Sequence, residues 1–175
     1  QIVSLSGSQL AAMTTAQIKG IAPTAIPSLT ESQIAALDAD KLNALTQAQI
    51  QALTPSQLAW LPKENLQQMS GSVIALLTPK QLGSLTADQL AVMNYQQLDS
   101  LAYAQKLGLL SKAQVAAIDP ITLGSVDKST ITKLSAAQMG ALKPEQVAAL
   151  TPTQIVAIDA TDIRSMTAEQ ITAMT

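Results

Sequence analysis

Thr46-Gln47-Ala48-Gln49-Ile50-Gln51-Ala52-Leu53, followed at once by Thr54-Pro55-Ser56-Gln57-Leu58-Ala59-Trp60-Leu61, is the stretch from which nearly the whole chain is copied. Thr with Gln three residues later is a capping box: the hydroxyl accepts from the N3 backbone N–H while the N3 amide reaches back to the cap's own N–H. Such a pair starts a helix. Ile at the fifth position and Leu at the eighth are three apart, so on a helix both project from one face. The next Thr opens another helix, and because an N-cap residue has non-helical dihedrals, the chain must turn there. Each repeat is therefore expected to be a helix of about two turns or less that ends in a corner.

Taking the cap as the first position, repeats begin at Ser6, Thr14, Ala22, Thr30, Asp38, Thr46, Thr54, Pro62, Ser70, Thr78, Thr86, Asn94 and Ala102. After one nine-residue repeat they resume at Ser111, Asp119, Asp127, Ser135, Lys143, Thr151, Asp159 and Thr167. These 21 repeats cover residues 6–174, and repetition of this kind has to be settled before any other reading. The cap is Ser, Thr, Asp or Asn in 17 of 21 repeats, the exceptions being Ala22, Pro62, Ala102 and Lys143. Six of the eight prolines (Pro23, Pro55, Pro79, Pro120, Pro144 and Pro152) fall just after the cap, the N1 position where a missing N–H costs nothing. A strand would give no reason for that placement.

The fourth position is Gln in 14 of 21 repeats. The eighth is always apolar and the fifth nearly so, Lys106 taking the slot in the nine-residue repeat with Leu107 behind it. The seventh is mostly Ala, Ser or Gly, with Trp60, Gln68, Leu76, Val92, Leu109 and Lys133 as bulky exceptions; small side chains there would let adjacent turns approach. No second-order alternation of unlike helices is visible, in contrast to helical-pair repeats of about 34 to 47 residues. Equivalent repeats imply equivalent surroundings, so the expected fold is all-α: an α-solenoid of very short capped helices built from an eight-residue repeat. We expect two repeats per coil, with a triangular coil of three as the alternative. Residues 1–175 are expected to form a single array. Gln1-Ile2-Val3-Ser4-Leu5 is already in phase, and the chain is expected to be a piece of a longer protein.

No repeat is expected to fold alone, since isolated helices become marginal only at about 12 to 15 residues. Capping contributes about 1 kcal/mol per repeat, and each buried aliphatic side chain about 1.5 to 3 kcal/mol. These offset the ordering of eight residues only when neighbours cover both flanks.

Composition narrows the function classes. There is no Phe, one Trp and two Tyr, so the core must be aliphatic. With 47% hydrophobic and 13% charged residues the chain is too apolar for a disordered linker. Net charge is −2 with ten scattered Lys and Arg, which suggests neither a nucleic acid groove nor an anionic membrane face. No uninterrupted apolar run is long enough to span a bilayer. Zero Cys and zero His remove disulfides, thiolate metal sites, the usual general base and the commonest transition-metal ligand. We expect no enzyme, no cofactor and no metal.

Several features invite sharper readings. The Gln column could be a ligand-binding stripe, but the capping box explains it, with amides stacking in a ladder between coils as a further expectation. Asp38, Asp119, Asp127 and Asp159 act singly as caps and lack the dense Asp/Asn/Gly loop of a calcium site. Ser125-Val126-Asp127-Lys128 matches the S-x-x-K string of Ser-Lys acylases, yet no companion S-D-N or K-T-G string occurs. Asp159 and Asp162 could be posed as an acid/base pair; a cap and a replacement for Gln account for them. The stretch from Met93 to Ser111 holds both tyrosines, a lost cap at Ala102 and one inserted residue. Its expected structure is a bulge that absorbs the extra residue. The candidate binding patch is Trp60, Tyr95 and Tyr103, aromatic residues of the kind that anchor interfaces.

Two resemblances add expectations. Leu150-Thr151-Pro152-Thr153-Gln154-Ile155-Val156-Ala157-Ile158 looks like the opening of TAL effector DNA-binding repeats, but it stops where that family's specificity residues should follow, and the period here is far shorter. It implies a shared capped helix start and no DNA reading. The array as a whole is similar to the Ser/Thr/Gln/Ala-rich repeat regions of large bacterial surface and secreted proteins, adhesins among them. That resemblance implies a structural or adhesive role at the cell surface or outside the cell, with a protein or glycan partner, and the alternative reading is a protein-binding solenoid whose partner docks along one repeated face.

Overall fold

A computed structural model describes residues 2–174, and among them every regular element is helical: nineteen α-helices of four to nine residues and three short 3-10 segments. The fold is an all-α solenoid of short capped helices. It falls into two compact bodies, Gln1–Leu85 and Thr86–Thr175, each built on the same plan.

The helices start where the repeat says they should. Every expected cap except Ala102 stands at an N-cap. At Thr46 both halves of the capping box are present: its N–H donates to Gln49 Oε1 at 2.8 Å, and the Gln49 N–H donates to Thr46 Oγ1 at 3.3 Å. Lys143 has no acceptor to offer, so there only its N–H to Gln146 Oε1 bond remains, at 2.8 Å. The helix ends as the eighth residue tightens the last turn; Leu53 N–H donates to Ile50 C=O at 3.2 Å, an i to i+3 bond. Leu53 (φ −60°, ψ 132°) and Thr54 (φ −76°, ψ 158°) are then both extended. Two extended residues make the corner.

The fifth and eighth columns form the core of each body, Ile50, Leu53, Leu58 and Leu61 being buried in the first and Val115, Ile118, Val147 and Leu150 in the second. The packing partner of a helix stands three repeats away. In the first body Gly7–Ala11 packs on Glu31–Ala35 and Thr15–Lys19 on Ala39–Ala44; in the second Ala136–Met139 packs on Ala160–Ser165. The fourth-column amide reaches one repeat further. Gln49 Nε2 donates to Ile18 C=O at 2.8 Å and Ile21 C=O at 2.7 Å, which lie 31 and 28 residues earlier. Gln146 does the same to Val115 and Ile118 at 3.0 and 2.7 Å. A coil therefore takes between three and four repeats, which corrects the expected two: the extended pair turns the chain by less than a reversal, so helices cannot stack face to face in pairs.

The same bonds correct the expected amide ladder. Gln57, Gln81, Gln138, Gln146, Gln154 and Gln170 likewise use the carbonyl oxygen on the cap and the NH2 group on two backbone carbonyls of the coil before, so amides meet backbone and not one another. Gln49 is 0% exposed, and burial of an amide is tolerable because donors and acceptor are all matched.

At two repeats whose fourth column lacks Gln, a residue of the coil before supplies the bond. Val73 leaves the Ser70 N–H without its usual acceptor, and Asn43 Oδ1 accepts from it at 2.7 Å. Thr130 is too short to reach back, and Asp99 Oδ1 comes to meet it, accepting from the Thr130 hydroxyl at 2.6 Å and the Asp127 N–H at 3.1 Å.

Close approach occurs at the sixth column, not the seventh. Asn43 and Gln51 donate side-chain amides to the seventh-column carbonyls of Gln68 and Leu76, at 3.3 and 3.4 Å, while Gly124 and Gly140 bring bare backbone against the carbonyls of Ala149 and Ser165. The seventh residue thus presents backbone to its neighbour, which is why Trp60 and Leu109 fit there with side chains partly in solvent. A Cβ at Gly124 would collide with the Ala149 carbonyl oxygen, whereas one at Gly83 would meet nothing within 4 Å. Gly124→Ala should lower the chemical-denaturation stability by about 1 to 3 kcal/mol, and Gly83→Ala should leave it unchanged or raise it slightly.

The irregular centre resolves into one longer helix. Asn94 caps Tyr95–Tyr103, which runs straight through Ala102, so the repeat that begins there opens no helix of its own and its lost cap lies in the core. The extra residue is absorbed at the C-terminus. Lys106 N–H donates to Leu101 C=O at 2.8 Å and Gln105 N–H to Ala102 C=O at 3.0 Å, a Schellman ending whose left-handed residue is Gln105, φ 58°, where glycine is usual. Gln105→Gly should raise stability by about 0.5 to 1 kcal/mol, the relief of left-handed strain exceeding the added chain entropy; a shift of the urea midpoint at constant slope reads it.

Candidate binding face

Trp60, at the C-cap of Pro55–Ala59 in the first body, is 36% exposed. Tyr95 and Tyr103 lie in the second body at opposite ends of one nine-residue helix, about 12 Å apart by helical rise, and are 45% and 94% exposed. The two tyrosines do not converge. Tyr103 stands at a concavity: with Asp99, Ala102 and Gln105 it forms one wall of an open cleft of about 400 Å³, and Asp127, Ser129, Thr130 and Lys133 form the other. The Schellman ending places it, since the helix that would otherwise have turned at Ala102 runs on and lifts Tyr103 clear of the core.

The floor of this cleft is braced. Asp99 is tied to Asp127 and Thr130 as described above. Asp127 accepts from the Ser129 N–H at 2.7 Å, and the Ser129 hydroxyl and N–H, with the charge of Lys128, hold its carboxyl below the ordinary value. A second cleft of about 390 Å³ is lined by Lys128, Ser129, Thr132, Thr153, Val156 and Ala157. Val156 is 85% exposed. The two clefts have Ser129 in common; the first is lined by an aromatic side chain and two carboxylates, the second by hydroxyls, a lysine and an aliphatic side chain.

The arrangement suits binding by hydrogen bonds and apolar contact. The S-x-x-K string assembles nothing, since the Ser125 hydroxyl donates to Ile121 C=O of its own helix at 2.7 Å and Asp127 serves as a cap. Asp159 accepts from the Thr161 and Asp162 N–H groups at 2.7 and 2.8 Å. Among the described residues no three acidic, His or Cys groups gather as a metal set, and no helix is long and apolar enough to cross a membrane.

Sequence reading missed Asp99, Lys133 and Val156. Asp99 had a signal: the fourth column loses its Gln at Thr130, and a polar residue about one coil earlier was needed to replace the missing bond. Val156 had none beyond breaking a column of small or polar residues. No family model matches the chain, and no characterised protein does either.

Proposed function

We propose that this chain is a structural repeat segment of a large bacterial surface or exported protein, a non-catalytic scaffold that presents a binding face. The observation that supports it most is uniformity: cap, core pair and inter-coil amide recur through both bodies, so the polar groups that stand out are spent on holding coils together. The resemblance to adhesin-like repeat regions supplies the surface location. Protease treatment of intact cells of the source organism tests it, with release of peptides from this chain before any cytoplasmic marker as the expected result. Peptides appearing only after lysis would refute the surface location. The second reading is a protein-binding solenoid, favoured by Tyr103 beside its cleft. Tyr103→Ala and Val156→Ser should weaken binding to a partner that docks there while leaving stability within about 0.5 kcal/mol.

A further inference from the structure

One repeat carries an acid where the staple should be. The repeat opened by Asp159 has Asp162 in the fourth column, 8% exposed. Its carboxyl faces the Asp159 N–H, the place a Gln carbonyl oxygen takes at other caps. The register states what the other oxygen meets. Fourth-column amides bond the carbonyl 28 residues earlier, and even the shorter Asn65 does so, donating from Nδ2 to Leu37 C=O at 2.8 Å. Asp162 has the shape of Asn65, and 28 residues before it stands Leu134, to whose carbonyl no described residue donates.

A carboxylate only accepts, whereas a carboxylic acid has one oxygen that accepts and one O–H that donates, the same polarity as an amide. We propose that Asp162 is a proton-operated staple: taking a proton from solvent, it donates its O–H to the Leu134 carbonyl and ties its repeat to the coil before, and on losing that proton it sets lone pair against lone pair and releases the tie.

The surroundings favour the neutral form. Burial first, and the charge of Asp159 second, push the Asp162 carboxyl above its ordinary value of 3.8. The helix packed along Ala160–Ser165 is Ala136–Met139, which has no titratable side chain. Asp159 is the charge that acts on it, and Arg164 is the other charged side chain on Ala160–Ser165. The native value lies above the unfolded one, so the added stability is complete below 3.8 and is lost as pH rises through the native value.

Hydrogen exchange on the whole chain tests this. Corrected for intrinsic rates, protection of the Ile163 and Met166 amides should fall with rising pH, about tenfold for each pH unit by which the acid is raised, and Asp162→Asn should abolish that fall and keep the acid-side protection at neutral pH. Equal pH dependence in both proteins would overturn the proposal. So would a carboxyl carbon titration of the unaltered chain that places Asp162 at or below 3.8, a measurement that needs no variant to fold.

Discussion

Ile50→Asp is expected to abolish folding of the first body as a whole. Ile50 is 0% exposed, and its carbonyl receives both Leu53 N–H and the Gln81 amide, at 3.2 and 2.7 Å. Truncation to Ala alone would cost about 2 to 5 kcal/mol, and an unpaired buried carboxylate costs several more. A domain holds only about 5 to 15 kcal/mol in total. No helix here exceeds nine residues, below the roughly 12 to 15 at which an isolated helix is marginal, so repeats that lose a covering neighbour have nothing to fall back on. Far-ultraviolet circular dichroism with residue-level hydrogen exchange reads the result. Loss confined to the Gln47–Ala52 helix, with Ile74 and Leu82 still protected, would show that coils do not depend on one another.

Gln49→Leu is the second large effect. The swap keeps bulk and adds apolar surface, so packing alone would make it mild. It also strips the Thr46 N–H and the buried Ile21 carbonyl of their side-chain partner, while the Ile18 carbonyl keeps the Ile21 N–H at 3.1 Å. At about 1 to 3 kcal/mol for each of the two unsatisfied groups, the expected loss is about 2 to 6 kcal/mol. Removing the cap hydroxyl by Thr46→Ala should cost only about 1 kcal/mol. Parallel denaturant titrations separate the two roles of the amide. A Gln49→Leu loss no larger than that of Thr46→Ala would mean the bonds to the earlier coil contribute nothing.

These paired expectations show where the chain was legible and where it was not. Cap, N1 proline and apolar fifth and eighth residues act within a few residues of one another, so their spacing in the sequence is their spacing in space, and helix starts follow directly. The coil was harder. The turn per repeat depends on the ψ angles of Leu53 and Thr54, which side-chain identity leaves open over a wide range. The second half of each Gln's bonding was illegible for the same reason, because an amide that satisfies its own cap gives no local sign that its NH2 group has work 28 residues away. Tyr103 was visible as an irregularity, but its cleft depends on Gln105 adopting a left-handed conformation that glutamine does not advertise. Trp60, Tyr95 and Tyr103 were grouped by residue type, yet Trp60 lies in the other body and the two tyrosines stand at opposite ends of their helix, Tyr103 at the cleft.

The reach of the amides also sets an order of events during synthesis. The carbonyls of Ile18 and Ile21 leave the ribosome long before Gln49, their donor, and those of Ile50 and Leu53 wait in turn for Gln81. Within each body, beyond its first coil, a newly emerged helix finds its template already in place on the N-terminal side, with a lag of about four repeats between an acceptor and the residue that seals it. Translation that pauses within that lag leaves the last coil open, and the open stretch is where a chaperone or protease would first gain a hold.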